Sequence, residues 1–236
     1  METPFRAYLN EVRWRALYFA LAAATSFYVS FTYRNTFLVG LALPLVQDQQ
    51  RLIATSVSEI FSAHIFTCVN LSVLFCFPLA AHHTYSFLSN AWRASERSEF
   101  KGFLLMNTLT FVFSLYVTHY FTIPLIWDFF SNFQVNSPGL GLKIQNEVKV
   151  HSYVTWVTTT LFISANLALL PLWILTVVRD LSSTTVLRGL RKYFFTVSMV
   201  LGTMLSTPDV ITQLTITLWL IASYECSLLY AINKGV

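Results

Sequence analysis

The sequence predicts an all-α membrane protein with six transmembrane helices. Of its 236 residues, 55% are hydrophobic and only 11% are charged, whereas an average soluble domain carries about 25% charged residues. The charges are also separated by long uncharged windows of the length that a bilayer requires. Both observations exclude an ordinary soluble enzyme and indicate a polytopic membrane protein.

Six uncharged windows define the predicted spans. They are Ala16–Tyr33, Ile60–Trp92, Gly102–Trp127, Val150–Val178, Tyr193–Pro208 and Val210–Tyr224. Each of the first four supplies the ~20 residues of a spanning helix. The last two reach only about 24 Å or less, so they form two short helices or one broken helix. The sequence Ser206-Thr207-Pro208-Asp209 favours an interfacial turn between two short helices, because proline lacks a backbone donor and a mid-membrane carboxylate is costly.

Six spans place both termini on one side of the membrane, here called the terminal face. Eleven of the 15 Lys and Arg residues fall on the terminal face and four on the opposite face. The positive-inside rule therefore predicts cytoplasmic termini, or their organellar equivalent. Basic loops on one membrane face therefore account for the net charge of +4, and nucleic acid is not an expected partner. The longest opposite-face loops, near residues 35–59 and 128–149, should form ordered caps or short helices.

No common catalytic or cofactor motif is found in the sequence. It contains no GxSxG, HExxH or Gly-rich phosphate loop. Cys68, Cys76 and Cys226 lie in apolar stretches without CxxC spacing, which predicts buried, reduced packing residues and no metal site. His82 and His83 fall at the predicted end of the second helix, where an interfacial role is favoured over haem ligation. We therefore expect neither a metal nor a cofactor.

Carboxylates lie among basic residues at two places on the terminal face. Such carboxylates can accept a guanidinium group of a partner in bidentate fashion. They can equally pair with the neighbouring arginines, and composition alone favours that internal pairing. The residues are Glu11 beside Arg6, Arg13 and Arg15, and Glu96 and Glu99 beside Arg93, Arg97 and Lys101.

These segments resemble motifs of the TatC subunit of the twin-arginine protein translocase. Residues 8–15 resemble the family's HLxELRxRL motif, and residues 41–45 with 53–61 are similar to its first outer loop. Phe87-Leu88 and Glu96-Arg97 are similar to its first inner loop. The most specific match is Arg191-Lys192-Tyr193, residues 206–213 and Tyr224-Glu225, which resemble R-x-Y, TPPDxxxQ and F/YE.

The resemblance implies a single TatC-like transmembrane domain over residues 1–236, with six helices in a glove shape and short fifth and sixth helices. It implies a receptor for the twin-arginine signal peptides of folded cargo, which helps move that cargo across an energised membrane. The implied partners are a single-span TatA/TatB-type protein and the lipid bilayer, with a second copy of the chain as a further candidate.

The resemblance also implies a signal-peptide site on the terminal face. Carried onto this sequence, Glu96 and Phe87 would contact the twin-arginine motif. Glu11 and Arg13 would belong to the same surface.

The resemblance implies a second site on the opposite face, which stabilises the caps there or contacts a partner helix. Pro44, Asp209 and Gln213 are the implied residues. Bacterial members carry a membrane-embedded Glu in the fourth helix, and Leu169 stands there in this chain. Asn166 lies three residues earlier, so on a helix it should share nearly the same face. It can therefore substitute in partner contact, or it can bond within the bundle.

The Phe-rich composition, the lost embedded acid and an N-terminus without a presequence resemble organelle-encoded members. We therefore expect a mitochondrial inner-membrane protein with its termini in the matrix; a bacterial plasma-membrane protein with cytoplasmic termini is the alternative. A structural or assembly subunit of a larger membrane complex, derived from a TatC ancestor, is the second functional hypothesis. A proton-coupled small-solute transporter is the third, and the scarcity of intramembrane acids disfavours it.

Overall fold

A computed structural model describes most of the chain, and over the described residues the fold is mostly helical. The chain divides into two compact units, Met1–Thr108 with Glu147–Thr158 and Leu109–Asn146 with Thr159–Val236. Each unit is presented separately below. The described residues are 4–47, 51–89, 94–132, 135–137, 142–144, 147–170, 184–205 and 210–233.

The first unit is built on two long antiparallel helices. They are α1 (Pro4–Thr32) and α4 (Val57–Leu88). The Arg15 guanidinium and the Tyr18 ring of α1 both contact His83, near the C-terminal end of α4. Long apolar runs favour both helices, and tertiary packing supplies most of the stability of such helices in a folded protein.

Short elements follow α1 on the opposite side of this unit. The chain bends by 79° after α1 into α2 (Arg34–Leu41), which is followed by α3 (Leu43–Gln47). The short helices predicted for the first opposite-face loop are therefore confirmed. Strand β1 (Leu52–Ile53) comes next and pairs in parallel with β4 (Val148–Lys149). The sequence did not predict this pairing, because two-residue strands leave no periodic pattern.

The Glu59 carboxylate links the segment that follows β1 to the first turns of α4 and α7. Its Oε2 accepts hydrogen bonds from the Thr55 amide (2.6 Å) and the Thr55 hydroxyl (2.8 Å). Its Oε1 accepts the His151 amide (3.4 Å) in the first turn of α7 (Val150–Leu167). One carboxylate thus satisfies donors at the N-termini of α4 and α7, where an anion is stabilised.

The second unit begins within α5 (Ala94–Val117), whose first half belongs to the first unit. A π-helical turn (Thr118–Thr122) joins α5 to α6 (Ile123–Ser131). Pro124 lies in the first turn of α6 and cannot donate to the preceding helical turn, so the hydrogen-bond ladder is displaced here. The helix continues through the proline, and beyond it β2 (Val135–Ser137) pairs antiparallel with β3 (Leu142–Ile144).

The last two helices of the second unit form an antiparallel hairpin. They are α8 (Thr184–Leu205) and α9 (Val210–Asn233). The break between them is expected at residues 206–209, which lie outside the described part of the chain. The stacked rings of Phe194 and Tyr224, 4.3 Å apart between centroids, belong to a buried apolar cluster that also includes Leu220 and Leu228.

The prediction that these two helices are short is wrong for the helices themselves. They contain 22 and 24 residues, because Arg, Lys and Leu in α8 and Leu and Ala in α9 are good helix formers and continue each helix beyond its uncharged window. Within α9 the uncharged window is Val210–Tyr224, and Leu228, Leu229 and Ile232 follow it in the same helix.

Long apolar helices mark the membrane spans among the described residues. Two helices are long and apolar enough to cross a bilayer, Val57–Phe87 and Phe100–Ser131, and the bent pair of α1 and α2 gives a third if it acts as one span. The predicted fourth window extends into residues 171–178, which the structure does not describe.

The cysteine prediction holds at two of three positions. Cys68 and Cys76 are buried, whereas Cys226 is exposed. Along α9 the buried positions recur every four residues at Ile216, Leu220, Tyr224 and Leu228. Cys226 lies between them and falls on the outward side of the helix.

Candidate functional site

The predicted signal-peptide residues fall in the first unit, where α1 meets the end of α4. Glu11 and Arg13 lie on α1, and Phe87 lies in the last turn of α4. Glu96 lies in the first turn of α5, and its side chain is outside the described part of the structure.

Glu11 forms the internal ion pair that composition favoured. Its Oε1 accepts Arg15 Nε (3.0 Å) and Arg15 Nη2 (2.5 Å), and Arg15 Nη1 lies 3.5 Å from the His83 carbonyl oxygen. Both side chains are partly exposed, at 30% for Glu11 and 24% for Arg15. The pair occupies only one carboxylate oxygen, so Oε2 has no partner among the described residues and can accept a further donor.

Phe87 follows the part of α4 that Arg15 contacts. It follows His83 by one helical turn on the same face of α4, and Glu11 precedes Arg15 by one turn on α1. Because the two helices are antiparallel, Phe87 lies at the level of Glu11. It is half-buried, so part of its ring can accept an apolar ligand. A carboxylate oxygen that can accept a guanidinium group and a ring that can contact an apolar ligand therefore lie at the same level along the helix pair.

Arg13 does not share this surface. It is exposed and lies two residues after Glu11, which places it about 160° away around α1. Glu11 faces α4 through its Arg15 partner, so Arg13 is directed to the other side of the helix. Sequence spacing alone groups the two residues, whereas the helical geometry separates them.

The residues predicted for the opposite face are divided between the two units. Pro44 is buried within α3 of the first unit, beside Ala42 and Leu45, both buried. Gln213 lies in α9 of the second unit and is half-buried. Asp209 falls outside the described residues.

The contact between α8 and α9 runs past Gln213. The Gln213 carbonyl accepts the Thr217 hydroxyl at 2.8 Å. Gly202 of α8 approaches this turn so closely that a Cβ atom there would meet Thr217 Oγ1 and would lie 3.2 Å from the Gln213 carbonyl oxygen. Glycine at this position therefore lets the two backbones pack closely, as small residues do between membrane helices.

A second ion pair joins α8 and α9 towards the end of the hairpin that includes the C-terminus. Arg191 Nη2 donates to Glu225 Oε2 at 2.8 Å, with both side chains almost half exposed. The segments Arg191-Lys192-Tyr193 and Tyr224-Glu225, which carry the most specific sequence match, thus meet across the hairpin. An exposed pair of this kind contributes about 0–1 kcal/mol, so it aligns the helices more than it stabilises them.

The expectation that Asn166 and Leu169 share a helical face is wrong. Helix α7 ends at Leu167, and the chain turns at residues 168–169. Asn166 is exposed, with Nδ2 donating to the Phe162 carbonyl at 2.7 Å, whereas Leu169 is only 5% exposed. Asn166 therefore presents its amide oxygen outward, and Leu169 fills the interior of the second unit.

Sequence reasoning missed a buried hydroxyl network in the second unit. Thr118 Oγ1 donates to Ser164 Oγ (2.7 Å), and Ser114 Oγ donates to the Ser164 carbonyl (3.1 Å). Trp219 Nε1 donates to Ser114 Oγ at 3.0 Å and so joins α9 to α5. Isolated Ser and Thr residues are frequent in membrane helices, and only their shared burial identifies the network.

Comparison with known proteins decides the family. The family model described as Sec-independent protein translocase protein (TatC) matches residues 7–218. The chain belongs to the TatC family. The resemblance seen in the sequence motifs is therefore confirmed over nearly the whole chain.

Relatives of the chain include both uncharacterised and named TatC proteins. It is 24% identical to the uncharacterised tatC-like protein ymf16 of Reclinomonas americana, over 95% of this chain and 86% of that protein. It is 23% identical to the Sec-independent protein translocase protein TatC of Magnetococcus marinus, over 100% of this chain and 85% of that protein.

The fold is likewise shared with a solved structure. The crystal structure of the twin-arginine translocase receptor TatC in DDM superposes with a TM-score of 0.74 and 21% identity, covering 94% of this chain and 98% of that chain. At 21% sequence identity, the structural similarity shows that the chain has the TatC fold.

Proposed function

We propose that this TatC-family chain is the receptor and core subunit of a twin-arginine translocase, which binds signal peptides and helps move folded proteins across an energised membrane. The observation that carries the proposal is the Glu11 carboxylate, with one oxygen paired to Arg15 and the other without a partner among the described residues. A guanidinium group of the signal peptide can bind the open oxygen, because arginine presents a planar fork of donors.

In this proposal Glu96 supplies the second acceptor. It lies in the first turn of α5, in the segment that follows the end of α4 carrying Phe87. Two arginines in succession need two acceptors, and the two carboxylates provide them. The exposed part of Phe87 would receive an apolar residue of the signal peptide. Arg13, on the other side of α1, would contribute to the same terminal face through its charge.

The membrane arrangement that we propose has six spans in the glove shape of the family, with both termini in the mitochondrial matrix. The alternative is a bacterial plasma-membrane protein with its termini in the cytoplasm. The uncharged window Val210–Tyr224 covers about 22 Å at ~1.5 Å per residue, against a hydrocarbon core of about 30 Å. Thinning of the bilayer beside α8 and α9 would follow and would lower the barrier to a folded cargo.

A single-span TatA/TatB-type protein is the proposed partner, with the opposite-face residues Pro44, Asp209 and Gln213 supporting its contact. Asn166 is the proposed polar contact, since its amide oxygen is directed outward from α7. A second copy of the chain is a further proposed partner.

A second candidate function is a structural or assembly subunit of a larger membrane complex. Leu169 favours it, because a buried leucine replaces the embedded acid of bacterial members. Purification distinguishes the two functions: a translocase subunit should bring down a single-span amphipathic partner, and an assembly subunit should bring down a respiratory complex.

Photocrosslinking tests the receptor proposal. A twin-arginine signal peptide carrying a photoreactive residue should label the terminal face of the full-length chain in membranes. Replacing one acceptor, in Glu96→Gln, should lower labelling about tenfold, since a hydrogen bond to a charged group contributes about 1.5–3 kcal/mol. Glu147→Gln removes the same charge from an exposed residue preceding β4 and is the matched control. Labelling of the opposite face, or equal labelling of the two variants, would contradict the proposal.

A further inference from the structure

The start of α5 is fastened to the end of α4 by Arg97. The Arg97 guanidinium donates to the Ser89 carbonyl through Nε (3.1 Å) and Nη2 (2.8 Å). Ser89 is the C-cap of α4, and the last carbonyls of a helix have no intrahelical partner. A guanidinium group at this position satisfies the carbonyl and complements the negative end of the helix dipole.

Tyr85 forms a second link between the same two helices. Its hydroxyl donates to the Arg97 carbonyl at 3.4 Å. Its ring stacks on Phe100 of α5, with centroids 5.8 Å apart and planes within 6° of parallel. Arg97 is therefore held through both its side chain and its backbone, and the first turn of α5 has a fixed place relative to the last turns of α4.

We infer that Arg97 is a positioning residue of the signal-peptide site. This inference rests on the proposed function, because it concerns how Glu96 is presented to the peptide. Neighbouring residues of a helix do not face each other, so Arg97 acts on Glu96 through the backbone of α5 and not by pairing with it. Its own charge is directed to the Ser89 carbonyl. Phe87 and Glu96, which lie on the two linked helices, are thereby kept in one arrangement, and a peptide pays less ordering entropy when it binds a preformed site.

Affinity measurements on the full-length chain in lipid nanodiscs test this role. The probe is a synthetic twin-arginine signal peptide. Arg97→Ala should weaken its binding about tenfold, because a site without the Arg97 links has to be ordered when the peptide binds. Arg97→Lys keeps the charge without the planar fork and should fall between Arg97→Ala and the unmodified chain. Lys101→Ala removes the same charge from an exposed position one turn later, and its affinity should stay within about twofold.

A double-variant cycle separates positioning from other roles. If Arg97 acts through Glu96, adding Arg97→Ala to Glu96→Gln should change the affinity by less than about twofold, because coupled residues are not additive. Full additivity of the two losses would overturn the inference, since Arg97 would then contribute independently of Glu96. Unchanged affinity in Arg97→Ala, with weakened binding in Glu96→Gln, would overturn it as well. Unchanged affinity in Glu96→Gln would instead overturn the proposed function.

Discussion

The close approach of α8 and α9 at Gly202 predicts a measurable penalty for adding one methyl group. In Gly202→Ala the new Cβ would meet Thr217 Oγ1 and would lie 3.2 Å from the Gln213 carbonyl oxygen and 3.5 Å from Thr217 Cβ. Thr217 is 4% exposed and its hydroxyl is bonded to the Gln213 carbonyl, so it can rotate away only by leaving a buried hydroxyl without that acceptor.

The magnitude follows from three opposing terms. Overpacking costs about 1–3 kcal/mol, and the lost Thr217 hydrogen bond costs about 1 kcal/mol. Alanine is the better helix former, which offsets about 1 kcal/mol. We therefore expect Gly202→Ala to lower the free energy of unfolding by about 1–3 kcal/mol.

Unfolding in mixed detergent micelles, followed by circular dichroism, measures this difference. Gly189→Ala is the matched control on the same helix, because a Cβ atom at Gly189 would have nothing within 4 Å; it should be neutral or stabilising by up to about 1 kcal/mol. Adding Thr217→Ala to Gly202→Ala should recover part of the loss, since it removes the obstructing hydroxyl. Equal stability of the two glycine variants, or no recovery in the double variant, would refute the argument.

Three further predictions concern contacts elsewhere in the chain. Glu59→Ala should make the first-turn amides of α7 exchange with solvent severalfold faster than in the unmodified chain, because the carboxylate that accepts one of them is gone; unchanged exchange would show that the carboxylate does not hold this turn. Trp219→Phe and Ser114→Ala should show a coupling of about 0.6–1.7 kcal/mol in a double-variant cycle of unfolding, since each removes the same 3.0 Å hydrogen bond; strict additivity would contradict the bond. Asn166→Leu should weaken co-purification of a single-span partner while signal-peptide affinity is kept; if both survive, Asn166 is structural.

Much of the helical organisation could be predicted because it depends on length and charge. The first two uncharged windows overlap α1 and α4 over most of their length, the third lies within the run from α5 to α6, and the Ser-Thr-Pro-Asp sequence lies between α8 and α9. The helix ends could not be predicted from the windows, since Arg188 and Arg191 continue α8 beyond the apolar stretch. A charge ends the hydrocarbon segment but does not end a helix.

The candidate site residues remain predictions, and the structure adds their geometry. The pairing of Glu11 with Arg15 was one of two open alternatives in the sequence, and the structure shows that pair. The separation of Arg13 from Glu11 needed the observation that α1 begins at Pro4, before both residues, whereas the predicted window begins at Ala16. The role of Arg97 depends on the Ser89 carbonyl, and a backbone acceptor leaves no mark in a sequence.

The relative affinity of the chain for twin-arginine and twin-lysine signal peptides tests the central claim most directly. The two peptides carry the same charge and differ only in whether the planar fork of donors is present. The full-length chain in nanodiscs should bind the twin-arginine peptide at least about tenfold more tightly, a difference of about 1.4 kcal/mol, and Glu96→Gln should reduce that preference. Equal affinity for the two peptides would contradict a receptor role for this TatC-family chain.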